Sequence, residues 1–215
     1  MLEEWSVSAR IRTSLLKTQA TSIYTVTFSR DGKLLAVGGD NGKIGTLEIW
    51  NARTGAFNRS LDAADFTGVH SVVFLPDGTS IEGAGTTELG GSVAKWALAT
   101  GTLKAESSGS QSIGIGSSLS PDGSQVAVAG STYQMTMGQP RYTGWVSVWN
   151  VSNLQSLLSS WNIGWDVAGI AFSPDGSTIS AIGTQYQWFG GMSGAYEPFG
   201  SYLSVLSTTA HYEES

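Results

Sequence analysis

A short turn sequence recurs four times along the chain, each time between two apolar runs: Ser29-Arg30-Asp31-Gly32, Leu75-Pro76-Asp77-Gly78, Ser120-Pro121-Asp122-Gly123 and Ser173-Pro174-Asp175-Gly176. The aspartates are 46, 45 and 53 residues apart. A period of roughly 40 to 50 residues holding several short strands marks a radial β repeat. Proline at the second turn position presets φ, and glycine takes the position that needs conformational freedom.

Aligning the chain on these turns resolves each repeat into strands. Strand a precedes the turn: Ile23 to Phe28, Val69 to Phe74, Ser112 to Leu119 and Val167 to Phe172. Val26/Phe28, Val72/Phe74 and Ile170/Phe172 alternate with smaller or polar residues, the period-2 pattern of a half-buried strand. Strand b follows the turn and ends each time at a glycine: Gly39, Gly85, Gly130 and Gly183. Strand c runs 45–50, 91–96, 145–149 and 202–206, and strand d 56–61, 102–107 and 155–161. A further turn separates c from d at Asn51 and Thr54-Gly55, and again at Ala97 and Thr100-Gly101.

Composition agrees and narrows the function. With 28 glycines, 8 tryptophans and only 13% charged residues, the chain suits short strands joined by Gly-rich turns. The net charge is −6, and 11 scattered basic residues offer no footprint for nucleic acid. No apolar run reaches the ~18 residues of a spanning helix. Without cysteine there is no disulfide, thiolate chemistry or Cys-ligated metal. The start, Met1-Leu2-Glu3-Glu4-Trp5, lacks the features of a signal peptide, so a native start implies a cytoplasmic protein. A low-charge surface rich in Gly, Ser, Thr, Trp and Tyr suits an extracellular one as well.

The Ser-Pro-Asp-Gly turn after strand a, the small-residue end of b and the Trp-Asn pairs closing c (Trp50-Asn51, Trp149-Asn150) resemble the WD-repeat β-propeller family over about residues 5 to 210. The family's usual Trp-Asp is replaced by Trp-Asn, Trp-Ala or Leu-Ser, and its Gly-His pair before strand a is missing. The Asp-His-Ser-Trp hydrogen-bond network of the family is therefore not expected. The resemblance implies an all-β fold: a β-propeller of four-stranded antiparallel blades, four blades per chain, spanning about 20–61, 66–107, 111–161 and 165–210 in a single domain, 1–215. The last repeat has no strand d, while the N-terminus has a spare strand over 6–16. Leu16 to Phe28 is 12 residues where Leu61 to Phe74 is 13, so 6–16 is expected to close the last blade and protect its edge. Propellers of this kind usually close at six to eight blades. Two chains forming an eight-bladed ring, each lending its N-terminal strand to the other, a piece of a larger propeller or a higher assembly, and a closed four-bladed monomer all fit the count.

The b-to-c connections differ between repeats. They are short in the first two, but run over 131–143 in the third and 184–201 in the fourth. Connections this long inside a compact domain are usually functional. They carry Tyr133, Met135, Met137, Arg141, Tyr142, Tyr186, Trp188, Phe189, Tyr196 and Phe199, and the d-to-a segment adds Trp165 at the same end. Aromatics, Met and Arg are the residue types enriched at interface cores. These residues form the expected binding surface; the bland reading makes the two segments hairpin extensions that cap the channel mouth.

One position breaks the repeat. Lys95 stands where Ile49, Val148 and Val205 align, and Glu82 where Ala36, Ala127 and Ser180 align. A b–c register that pairs Ala36 with Ile49 also pairs Glu82 with Lys95, predicting a structural ion pair. The two histidines, His70 and His211, are too far apart in sequence to suggest a metal site, and no metal or cofactor is implied. His70 aligns with Tyr24, Ile115 and Ala168 and is expected to pack near the channel. No Ser-His-Asp set, phosphate loop or paired acids stand out. The expectation is a non-catalytic scaffold that binds itself or another protein. A carbohydrate-binding propeller using the same aromatics is the first alternative, and a propeller enzyme with acids at the channel the second.

Overall fold

In the computed structural model, which describes residues 2–88, 90–108, 112–136, 139–154, 157–163, 166–189 and 195–208, every regular element is a β-strand. They are β1 (Leu2–Ser6), β2 (Ile11–Leu16), β3 (Ser22–Phe28), β4 (Leu34–Asp40), β5 (Gly45–Asn51), β6 (Phe57–Ser60), β7 (Phe66–Phe74), β8 (Ser80–Thr87), β9 (Gly90–Ala97), β10 (Leu103–Ser108), β11 (Ser112–Leu119), β12 (Gln125–Thr136), β13 (Gln139–Asn150), β14 (Leu157–Asn162), β15 (Asp166–Phe172), β16 (Thr178–Phe189) and β17 (Ala195–Ser207). They form three four-stranded antiparallel meanders, β3–β6, β7–β10 and β11–β14, a three-stranded sheet β15–β17 and a two-stranded sheet β1–β2. The meanders are blades one to three, and β15–β17 is blade four. The chain divides into two compact units, Met1–Ser108 and Gly109–Ser215.

The recurring turn is built the same way each time. In blade one Ser29 Oγ donates to Asp31 Oδ1 at 2.7 Å, Lys33 N donates to that oxygen at 3.1 Å, and Leu34 N donates to Ser29 Oγ at 2.9 Å. Gly32 takes φ +68°, which an L side chain rarely adopts. Blades three and four repeat the Ser–Asp bond at 2.6 Å in both Ser120–Asp122 and Ser173–Asp175. Blade two has Leu75 in place of the serine; Asp77 still accepts from the backbone N–H of Thr79 and Ser80, and the Ser80 side chain bonds to it as well. Hydrogen bonding from Ser29, Ser120 and Ser173 is the leading cause that holds Asp31, Asp122 and Asp175 down at about 2.

A second repeated turn joins c to d. Gly55 N donates to Asn51 O, Gly101 N to Ala97 O and Leu154 N to Asn150 O, and each donor residue has positive φ. The N-terminus carries the same turn: Arg10, φ 56°, donates its N–H to Ser6 O. Each c–d pair also carries one extra d-strand residue where d passes the c-strand tryptophan, at Thr13, Asn58, Lys104 and Leu158. Hairpin β1–β2 is therefore the c–d half of a blade. This corrects the expected single strand over 6–16. Only 11–16 is strand d, and it pairs with β1 rather than closing the last blade, so β16 is the one described sheet neighbour of β17.

Within the first unit, the hairpin stacks on blade one through Leu2 and Leu16 against Leu35, Val37, Trp50 and Ala52. Blade one stacks on blade two through Ala36, Leu47, Ile49, Leu61 and Ala63 against Val72, Ile81, Ala94 and Trp96. Within the second unit, blades three and four repeat that contact through Ala127, Ala129, Val146 and Val148 against Val167, Ile179 and Ala181. The glycine ending strand b is a packing requirement. A Cβ at Gly85 would collide with the carbonyl oxygen of Gly68 on the neighbouring strand, and one at Gly39 or Gly183 would meet Ser22 O or Asp166 O.

Candidate interaction surface

The segments 131–143 and 184–201 are arms, not loops. Pairing of β12 with β13 continues through Thr132↔Thr143, Tyr133↔Tyr142, Gln134↔Arg141 and Met135↔Pro140 to Thr136↔Gln139. Pairing of β16 with β17 continues, past an irregularity at Gln185/Tyr186, through Tyr186↔Pro198, Gln187↔Glu197 and Trp188↔Tyr196 to Phe189↔Ala195. Blade one turns at Asp40↔Gly45 and blade two at Thr87↔Gly90. Five further residues on β12, β13 and β16, and six on β17, lengthen each arm by about 16 Å. The reason lies in composition: Tyr, Trp, Phe and Thr favour a pleated strand, and the segments hold few turn residues before their tips. Of the expected surface residues, Tyr133, Met135, Arg141 and Tyr142 share the blade-three arm, and Tyr186, Trp188, Phe189, Tyr196 and Phe199 the blade-four arm. Met137 and Trp165 lie outside the described residues.

At the matching end of the first unit, the strands bend. The pairing of a with b skips a residue at the same repeat position in every blade, at Tyr24, His70, Ile115 and Ala168, and in blade two a second time at Thr67. Such bulges re-aim a side chain. Here they bring Tyr24 and His70 into a stack, ring centroids 4.4 Å apart and planes at 22°. Tyr24 Oη donates to Asp40 Oδ2 at 2.5 Å, and Asp40 Oδ1 accepts from Gly42 N at 2.6 Å. The hydrogen bond from Tyr24 leads the causes that lower the pKa of Asp40. Burial lowers that of His70, with the charge of Asp40 opposing. Alignment placed His70 beside Tyr24 in the repeat, but nothing in the sequence announced the bulge that stacks them. A groove of about 400 Å3 opens nearby, with Ile44 and Phe66 beside Lys43, Asp65, Glu88 and Glu106. Among the described residues no three His, Asp or Glu side chains gather as a metal centre.

Glu82 and Lys95 are register partners on β8 and β9, as the repeat alignment implied; Ala36↔Ile49, Ala127↔Val148 and Ser180↔Val205 complete the set. The carboxylate is fully buried, and neither oxygen accepts a hydrogen bond. Burial pushes its pKa up to about 8 against the pull of the Lys95 charge. The register brings the pair to adjacent strands, but Glu82 is not the hydrogen-bonded member of an ion pair.

Two blade faces stand uncovered at positions that the repeat elsewhere buries. Trp5 is 58% exposed where Trp96 is 0%, and Val26 is 47% exposed where Val72 is 4%. Phe28 joins them. Among the described residues of the first unit, the hairpin sets strands c and d against blade one, and Val26 and Phe28 of strand a stay exposed. In the second unit, Val205 is 61% exposed where Ile49 is 2%, and Ile182 and Leu203 are exposed beside it. Sequence reading missed both faces. The signal was present in the 45-residue offset that sets Leu2, Trp5, Arg10 and Leu16 over Leu47, Trp50, Gly55 and Leu61.

The sequence model of the "WD domain, G-beta repeat" family matches residues 11–44, from β2 through β3 and β4 into the b–c turn. No curated protein matches the chain. Among solved structures it is similar to Kuenenia stuttgartiensis hydrazine synthase, with a TM-score of 0.74 at 16% identity, over 83% of this chain and 54% of that one. It is also similar to the C-terminal WD40 domain of Sif2, with a TM-score of 0.63 at 22% identity, over 94% of this chain and 50% of that one. The chain spans about half the length of these structures.

Proposed function

We propose that this chain is a WD-repeat-type β-propeller protein and acts as a non-catalytic binding and assembly scaffold. WD-repeat propellers are in general protein-binding scaffolds, and likeness to an enzyme at 16% identity is a likeness of fold alone. The carrying observation is the pair of arms. Blades three and four lengthen the same b–c hairpin and stock it with Tyr, Trp, Phe, Met and one Arg, while blades one and two keep it short. A second protein docks on these arms. The uncovered faces of the end blades support self-association, two chains together providing eight blades.

The test replaces 132–143 and 185–200 by the short turn of blade one, Asp40 to Gly45. Proteins captured by the wild type and lost by the trimmed chain, with the fold retained, support docking on the arms. Equal capture by both chains contradicts it. Binding of the wild type to a glycan array, lost on trimming and with no protein captured, would instead make the arms a lectin site.

A further inference from the structure

The recurring a–b turns break their own rule at two places, and the two breaks meet. Arg30 stands where the other three turns have Pro76, Pro121 and Pro174, and Leu75 stands where they have Ser29, Ser120 and Ser173. Stacking of blade one on blade two sets the first turn beside the second. Between them lies a pocket of about 200 Å3, walled by Arg30 and Leu34 of blade one and by Phe74, Leu75, Pro76 and Leu98 of blade two.

The walls are apolar because they are the rim of a core. Leu34, Phe74 and Leu98 pack against the cluster shared by the two blades and are only partly buried there. Leu75 is buried. Its turn holds without the serine hydroxyl: Leu75 N donates to Ser80 O at 3.0 Å and Gly78 N to Leu75 O at 3.1 Å, the same two bonds that Ser29 and Gly32 make in blade one. Leucine in place of serine therefore adds apolar wall without unmaking the turn.

The charges beside the pocket are accounted for, except one. Asp31 accepts from the Ser29 hydroxyl and pairs with Lys33 Nζ at 3.1 Å. Asp77 accepts from Thr79 N and Ser80 N at 2.8 Å each, and the Lys95 charge helps to keep it ionised. Arg30 is exposed, and among the described residues its guanidinium has no ion-pair partner. A solvated arginine alone says little. An unpaired arginine at the mouth of an apolar pocket complements an apolar group that carries a carboxylate.

We propose that this pocket docks an acidic–apolar segment of a partner protein: one large apolar side chain fills it, and a carboxylate beside that side chain bonds to Arg30. The volume suits a single side chain, since pockets for whole small ligands run to roughly 300–1,000 Å3. Arginine presents a planar fork of donors that matches a carboxylate in two parallel bonds. The site goes beyond the arms. It is built at the a–b turns of the first unit, whereas the arms are b–c hairpins of the second.

A phage library of short random peptides is selected on the full chain and, in parallel, on Arg30→Pro. Arg30→Pro and Leu75→Ser restore residues of the other turns, so both should melt as folded proteins. Peptides enriched on the wild type over Arg30→Pro are expected to carry a large apolar residue next to Asp or Glu. In fluorescence polarisation, exchange of that acid for its amide should weaken binding about tenfold or more, and Leu75→Ser should do the same. Should Leu75→Ser not fold, Leu98→Ala tests the same wall. No peptide that tells the two chains apart, or distinguishing peptides without an acid, overturns the proposal. Equal binding to the wild type and the wall variant would reduce it to a surface charge effect and overturns it too. Self-association lost in Arg30→Pro, with no peptide selected, would give the pocket to a second copy instead. None of these results bears on the arms, whose trimming test stands apart.

Discussion

Glu82 on β8 lies opposite Lys95 on β9, and both of its carboxylate oxygens are buried without a hydrogen bond. Its folded-state pKa, about 8, lies above the ordinary 4.5. Its contribution to stability is therefore fully present below pH 4.5 and is lost as pH rises through 8, at up to about 1.4 kcal/mol per pH unit. Urea unfolding at pH 5, 7 and 9 should show this decline in the wild type and its absence in Glu82→Ala, which restores the residue of blades one and three. At pH 9 the variant is expected to be the more stable by a few kcal/mol. Parallel profiles for the two proteins would contradict the account. Lys95→Ile removes the charge that lowers the Glu82 pKa and should move the decline to higher pH.

The c-strand tryptophans divide by partner. Trp50 Nε1 donates to Glu48 Oε2 at 3.1 Å, and Gln19 N donates to Glu48 Oε1 at 2.7 Å. Glu48 is buried, so Glu48→Ala strands two donors and should cost about 2–4 kcal/mol. Trp149 has Ser147 two residues before it, and its indole N–H is buried without a partner. Chemical denaturation should find Trp50→Phe more costly than Trp149→Phe by about 1 kcal/mol or more. The reverse order would place the polar bond elsewhere.

The Asp-Gly turns should be visible to carboxyl NMR. Asp31, Asp122 and Asp175 are expected to titrate near 2. Ser120→Ala removes the leading cause at Asp122 and should raise that pKa alone. These depressed values stabilise the fold above about pH 3.8, and that contribution is lost as pH falls through 2. An Asp122 resonance unmoved by Ser120→Ala would show that the backbone donors suffice.

The antiparallel sheets of the repeat, their strand order and the Glu82–Lys95 register were legible in the sequence because a fourfold turn fixes every offset. Period-2 alternation then settles which residues share a face. Three things were legible in part or not at all. The c–d turn of the N-terminal hairpin uses Arg10 at positive φ, where its counterparts Gly55 and Gly101 are glycines, so the half-blade read as one strand. The arms were legible only as the second of two readings, hairpin extensions beside binding loops, because their residues depart from the repeat although their Tyr, Trp and Thr content is that of strands. The Tyr24–His70 stack depends on bulges, which insert a residue without any compositional mark.

Glycines ending strand b should be intolerant while others are not. Gly85→Ala drives a methyl into Gly68 O and the Phe66 ring, and is expected to cost about 3 kcal/mol or more. At Gly116 the nearest atom to an added Cβ is 3.6 Å away, and Gly116→Ala should stay within about 1 kcal/mol of the wild type. Equal costs by thermal denaturation would deny the close approach of strands a and b.

The mass of the untagged chain in solution, measured by sedimentation equilibrium across a range of concentrations, tests the assembly scaffold most directly. The account predicts a species of twice the 22.6 kDa chain mass, weakened by Val205→Glu or Val26→Glu on the uncovered faces. A chain that stays at 22.6 kDa at every concentration, in wild type and variants alike, would contradict it.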